Sequence, residues 1–166
     1  DNGRAGVSEL QRRPLPLQTC CSPENHPLIA ITSKLIKYSI MSKRVIASPL
    51  APKAVGPYSQ AVEANGTLYV SGQLPIDAQT GEFPEGGVKE QLVQIFKNLQ
   101  YILEEAGYSF DNVVKTTVYL TNMGDFGTLN EVYSQFYREP YPARVAYAVA
   151  ALPKGALAEV DVIAVK

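Results

Sequence analysis

Two charges, Arg144 and Glu159, stand inside strand-like apolar runs of the segment Tyr141–Lys166, YPARVAYAVAALPKGALAEVDVIAVK. A charge buried there without a partner is costly, so something must compensate each of them. Arg144 follows Pro142-Ala143, and its guanidinium is a planar fork that grips a carboxylate through two hydrogen bonds. Strand alternation sets Glu159 and Asp161 on one face with Leu157 and Ile163. A carboxylate so placed can hold a water and take its proton. Two readings stand: Arg144 forms an ion pair with Glu159 or Asp161, or Arg144 and Glu159 serve opposite ends of a small ligand. Tyr58, directly after the Gly56-Pro57 turn, either offers its phenol to a ligand carboxylate or packs with its hydroxyl in water. Ser71-Gly72-Gln73 ends a strand-like run, where glycine lets a ligand approach the backbone or simply turns the chain. Asn130 and Tyr133 lie one helical turn apart and share a face, although Tyr133 is also a natural core residue. No one of these signals decides the chemistry.

What the chain lacks narrows it. Both cysteines (Cys20, Cys21) and the one histidine (His26) fall in the first forty residues. Residues 41–166 therefore hold no thiol nucleophile, no Ser–His arrangement and no ordinary zinc ligand set. Five of the fifteen basic and three of the sixteen acidic residues also lie in 1–40, which leaves a net −3 over 41–166. That balance offers no overall basic field for nucleic acid. No apolar run nears the roughly 18 residues of a membrane-spanning helix. Without His, Cys or metal, the accessible reactions are those of an electrophile that is already reactive, such as a protonated imine.

The texture changes near Met41. Residues 1–40 carry Pro14, Pro16, Pro23 and Pro27 and little periodicity, whereas Met41 opens a stretch of different texture. The expectation is an extension over 1–40, either a disordered tail or an organelle-targeting segment, and one domain over 41–166. The compartment expected is the cytoplasm, or a mitochondrion or plastid if the extension is a targeting signal.

The elements that must position the chemistry are clear in outline. Arg44–Ser48 is β-prone, and Ser59–Ala64 and Thr67–Ser71 flank Asn65-Gly66, the strongest two-residue hairpin signal. Leu92, Ile95, Phe96, Leu99, Ile102, Leu103 and Ala106 recur at helical spacing from Val88 until Gly107. Asn112–Thr121 is β-branched and reads as a central strand. Asp125 is placed to cap a second helix with an apolar face of Phe126, Leu129, Val132, Tyr133 and Phe136. Strands over Ala143–Ala150 and Leu157–Val165 complete the order β-β-β-α-β-α-β-β. This is an α+β domain, an open mixed sheet with two helices on one face. Two helices leave the other face bare, so copies of the chain are expected to cover it.

Taken in order, Gly56-Pro-Tyr-Ser-Gln60, Tyr69-Val-Ser-Gly-Gln73, Val114-Lys-Thr-Thr-Val118, Asp125-Phe-Gly-Thr-Leu-Asn-Glu-Val-Tyr133, Pro142-Ala-Arg144 and Leu152-Pro-Lys154 resemble the YjgF family, and within it the RidA branch. The resemblance covers about residues 42–166. It implies a chorismate-mutase-like fold, a homotrimer with sites between subunits, and hydrolysis of 2-iminoacids such as 2-iminobutanoate and 2-iminopropanoate. Their enamine tautomers are included, the products are 2-ketoacids and ammonia, and no cofactor or metal is implied. It places the carboxylate-binding arginine on Arg144, the catalytic acid on Glu159 and the N-terminal tyrosine on Tyr58. The strand-end pair falls on Ser71 and Gly72, and the helix asparagine on Asn130, with Tyr133 beside it. Where many members read Arg-Ser-Cys, this chain reads Arg144-Val-Ala146, so the backbone N–H of Ala146 is left to meet the substrate. Glu159 beside Arg144 is then expected to stay ionised, opposite charge lowering its pKa. Two rivals remain: an RNA-binding ribonuclease or translation inhibitor, and a regulator of the same fold that binds a small ligand without turnover.

Overall fold

A computed structural model of the chain describes residues 43–166. The extension expected over 1–40 lies outside the described residues. Six strands and two helices follow in the expected order: β1 (Arg44–Ile46), β2 (Ala61–Ala64), β3 (Thr67–Gln73), α1 (Val88–Ala106), β4 (Val113–Leu120), α2 (Phe126–Phe136), β5 (Ala143–Ala148) and β6 (Ala158–Val165). They form one mixed sheet in the spatial order β1-β2-β3-β6-β4-β5. All neighbours are antiparallel except β4 and β5, which run parallel because α2 crosses between them.

Local chemistry explains each element. Asn65 (φ 52°) and Gly66 (φ 73°) both take the left-handed conformation of a tight hairpin turn, which fixes the β2–β3 register from Ala64 opposite Thr67. Helix α1 starts where the Glu90 carboxylate accepts from the Gly87 N–H at 2.8 Å. It stops at Gly107 (φ 80°), whose N–H and that of Tyr108 close onto Glu104 and Leu103 carbonyls. Asp125 sits just before α2, at the capping position, but caps nothing with its side chain; Asn122 caps the turn ahead of it, its Oδ1 accepting from the Gly124 N–H at 2.9 Å. The reason is a short 3-10 turn over Met123–Asp125, which leads into the helix and moves the cap upstream.

The core lies between the helices and one face of the sheet. Strand β6 states the rule: Ala158, Val160, Val162 and Ala164 are buried, while Glu159, Asp161 and Ile163 turn to the other side. Leu92, Ile95, Phe96, Leu99, Ile102 and Leu103 of α1 and Leu129 and Val132 of α2 pack on that buried face. The opposite face carries Tyr69, Ile163, Thr117, Asp161, Val145, Tyr119, Glu159 and Tyr147, and neither helix covers it.

Candidate active site

Arg144 is the second residue of β5, directly across from buried Thr116 of β4, and so points to the helix side of the sheet. There α2 receives it. One guanidinium nitrogen, Nη2, donates to Asn130 Oδ1 at 2.8 Å, and the group lies 4.6 Å from the Tyr133 ring centre and 5.4 Å from that of Phe126. Asn130, Tyr133 and Arg144, with Ser134, Tyr141 and Pro142, line an open cleft of about 430 Å³. Tyr133 is buried, and its hydroxyl donates to Thr116 Oγ1 at 3.2 Å. Burial raises its pKa, partly opposed by that hydrogen bond and by the nearby Arg144 charge. The cleft therefore presents a fixed cation against neutral aromatic walls, a receptor for a small carboxylate.

The second cluster lies around β3. A bulge lets β3 take three steps from Val70 to Gln73 while β6 takes two, from Val162 to Val160. The strand ends at Gln73, so Ser71 and Gly72 stand at its end as expected. The bulge brings Gly72 against the Glu159 side chain, so closely that an added Cβ would lie 2.9 Å from Glu159 Cδ. Ser71 Oγ donates to the Ser59 carbonyl at 2.7 Å, tying down the loop that carries Tyr58. Buried Gln60 holds the other side of that loop: its Nε2 donates to Ser48, Ala51 and Pro52 carbonyls, and its Oε1 accepts from the Ser48 N–H at 2.6 Å. Tyr58 and Gly72 line one recess, with Lys53 and Val55.

Glu159 shares the open face with Asp161 on its own strand and with Tyr119 and Tyr147 across it; the Tyr119 hydroxyl donates to Asp161 at 3.1 Å. Burial, and then the Asp161 charge, raise the Glu159 pKa above its ordinary 4.5. This reverses the expectation that Arg144 would lower it. Among the described residues the ion pairs are Arg44–Glu63 and Lys89–Glu131, so Arg144 pairs with neither Glu159 nor Asp161. The cause is the pleat. Register puts Arg144 level with buried Thr116 and Glu159 level with Tyr119, which are on opposite faces. One chain thus holds two separate clusters: Arg144, Asn130 and Tyr133 on one side, and Tyr58, Ser71, Gly72 and Glu159 on the other.

Ala146, half-buried, packs its methyl on the core. The Val149 N–H donates inward to Leu120 O at 2.9 Å, so by alternation the N–H groups of Arg144 and Ala146 face the free edge of β5. Phe126 is the residue that sequence reasoning placed wrongly, as part of the helix's core face. It is 37% exposed and lies beside the Arg144 guanidinium instead. Its spacing of four and seven residues from Asn130 and Tyr133 is the signal that joins it to their stripe.

Comparison with known proteins closes the description. Residues 48–166 match the profile of the family described as Endoribonuclease L-PSP. A mouse protein named 2-iminobutanoate/2-iminopropanoate deaminase is 50% identical over 128 residues, 77% of this chain and 95% of that one. A RutC family protein of Pyrococcus horikoshii is 50% identical over 124 residues, 75% of this chain and 98% of that one. Among solved structures, RidA from an Antarctic Psychrobacter superposes with a TM-score of 0.72 at 49% identity, over 74% of this chain and 99% of that one. Escherichia coli TdcF with bound serine gives 0.71 at 40% identity, over 74% of this chain and 98% of that one.

Proposed function

The chain belongs to the endoribonuclease L-PSP family, also called YjgF/RidA, and from that membership we propose that it hydrolyses 2-iminoacids to 2-ketoacids and ammonia. The substrates would be 2-iminobutanoate and 2-iminopropanoate, as the names of the mouse and human relatives suggest. The observation that supports the reading best is Arg144 held open over the Tyr133 ring as a carboxylate receptor, with Glu159, an acid in no ion pair, packed against Gly72.

In the proposed reaction Arg144 grips the substrate carboxylate through the N–H groups that Asn130 leaves free. The Ala146 N–H, on the same open edge, adds a donor. Glu159 holds a water against C2 of the protonated imine. On its own chain, burial and the Asp161 charge both favour its taking a proton. As the water oxygen bonds to C2, the C=N π electrons pass to nitrogen and Glu159 takes the water's proton. The same proton then goes to the amine, the hydroxyl's electrons form the C=O bond as the C–N bond breaks, and the hydroxyl proton passes through the freed Glu159 carboxylate to the departing ammonia or to solvent. One water enters and one ammonia leaves for each iminoacid.

This chemistry needs both clusters at one substrate, and a single chain holds them on opposite sheet faces. We propose that they meet across a head-to-tail interface, in which one copy's Arg144 cleft faces its neighbour's Glu159 face. Such an interface repeats around a ring, and the ring size proposed is three. It also covers the bare sheet face. The test is a dehydratase that releases 2-iminobutanoate from threonine, followed with and without this protein. Faster imine decay at catalytic amounts is expected, together with a trimer mass in sedimentation. Unchanged decay at stoichiometric amounts would overturn the reading.

A further inference from the structure

Arg144 is not merely present in its cleft; it is oriented from three directions, all along one stripe of α2. Phe126, Asn130 and Tyr133 occupy positions i, i+4 and i+7 of that helix, so their side chains rise on one face. Asn130 fixes one nitrogen, and the two rings attract the cation through their electron-rich faces. A guanidinium is a flat fork, so a twist about its stem spoils the paired hydrogen bonds even where the charge stays in place.

The Tyr133 ring is itself anchored. Its hydroxyl donates to Thr116 Oγ1, and Thr116 Oγ1 also shares a hydrogen bond with the Tyr137 hydroxyl at 3.2 Å. Thr116 is fully buried and is the residue directly across the sheet from Arg144. Phe96 meets Tyr133 edge-on at 5.8 Å, and Tyr137 lies 4.4 Å from it centre to centre. The chain of contact thus leaves the sheet at Thr116, passes through a rigid ring and returns to the sheet at Arg144. Phe126 stands outside this loop, partly exposed beside the guanidinium and not part of the buried core.

We infer that Phe126, together with the buried Thr116–Tyr133–Tyr137 hydroxyl cluster, is a positioning element that sets the plane of the Arg144 fork for carboxylate capture. The inference rests on the proposed role of Arg144 and adds residues to it. Because a carboxylate is gripped alike in substrate and product, the element acts on binding rather than on the chemical step.

Phe126 gives the clean test, since it is partly exposed and its replacement spares the core. In the full chain, Phe126→Leu should raise KM for 2-iminobutanoate and Kd for pyruvate together, by about three- to tenfold, the range of one cation–ring contact. kcat should stay within about twofold, and Tm within a few degrees. Phe126→Trp should restore both constants. Thr116→Val should raise the same two constants, with an added loss of Tm from the buried hydroxyl cluster. Arg144→Ala is the control. If Arg144→Ala loses pyruvate binding while Phe126→Leu leaves KM and Kd unchanged, positioning is refuted and the Arg144 role stands. If Phe126→Leu lowers kcat or Tm instead, the ring is catalytic or structural and the inference falls. If Arg144→Ala binds pyruvate as before, the Arg144 role falls and takes the positioning with it.

Discussion

Replacing Gly72 by alanine adds a single methyl group where the structure leaves no room for it. The backbone there does not need glycine, because Gly72 is not in the left-handed region, so alanine is tolerated by φ and ψ. Restricting the unfolded chain even contributes about 0.4–1 kcal/mol toward stability. The conflict is with Glu159: the new Cβ would lie 2.9 Å from its Cδ and 3.3 Å from its Cγ, with a carboxylate oxygen nearer still. Backbone cannot give way cheaply, but the end of a glutamate can. The carboxylate must withdraw by about 1 Å to regain ordinary contact, and a misplacement of about 1 Å costs about 10²-fold in a positioned catalytic step. Gly72→Ala should therefore lower kcat by about a hundredfold, with Tm within a few degrees of the parent. Glu159→Gln should lose about 10²–10⁴-fold, and Gly72→Ala added to it should cost little more, since both remove one group's action. The assay is imine decay with a dehydratase as source, alongside thermal melting. Parental turnover in Gly72→Ala would show that the Glu159 position does not matter, and a melting loss above about 10 °C would show that the glycine serves folding.

Arg144→Lys should be nearly as damaging to kcat/KM as Arg144→Ala, because a point charge cannot replace the fork; retention of most activity would refute carboxylate clamping. Asp161→Asn removes a charge that raises the Glu159 pKa, so the acid limb of the kcat/KM profile should move to lower pH. The same variant should lose less stability as pH rises above 4.5, because a raised carboxyl pKa destabilises the fold once the group ionises; a profile that does not move would count against Glu159 as the base. Gln60→Ala leaves the Ser48 N–H and the Pro52 carbonyl without their partner, so about 2–4 kcal/mol of stability should be lost, with weaker activity as the Tyr58 loop loosens.

Features set by neighbours in sequence were legible. The Asn65-Gly66 turn needs two positive φ values in a row, and the α1 stripe needs a 3.6-residue period. Both are local properties of the chain. So is the shared face of Glu159 and Asp161, since alternation along one strand reveals it. The relation of Arg144 to Glu159 is different in kind. It depends on β4 lying between β5 and β6 and on the register of both pairings, which no window of sequence contains. The pKa direction of Glu159 went astray for that reason, because a charge on the far face cannot offset desolvation. Phe126 was missed because an aromatic residue on a helix's apolar side reads as core, and only the incoming guanidinium gives it another use.

The separation of Arg144 and Glu159 by the thickness of the sheet makes the two residues genetically separable. Chains carrying Arg144→Ala keep an intact acid face, and chains carrying Glu159→Gln keep an intact cleft. Either population alone would be silent. Co-assembled at equal amounts in a head-to-tail ring, about one contact in four would pair a good cleft with a good acid, and activity would return. A chain bearing both changes could rescue neither. Two broken copies could thus do what one broken copy cannot, and an organism expressing both alleles would keep part of the activity.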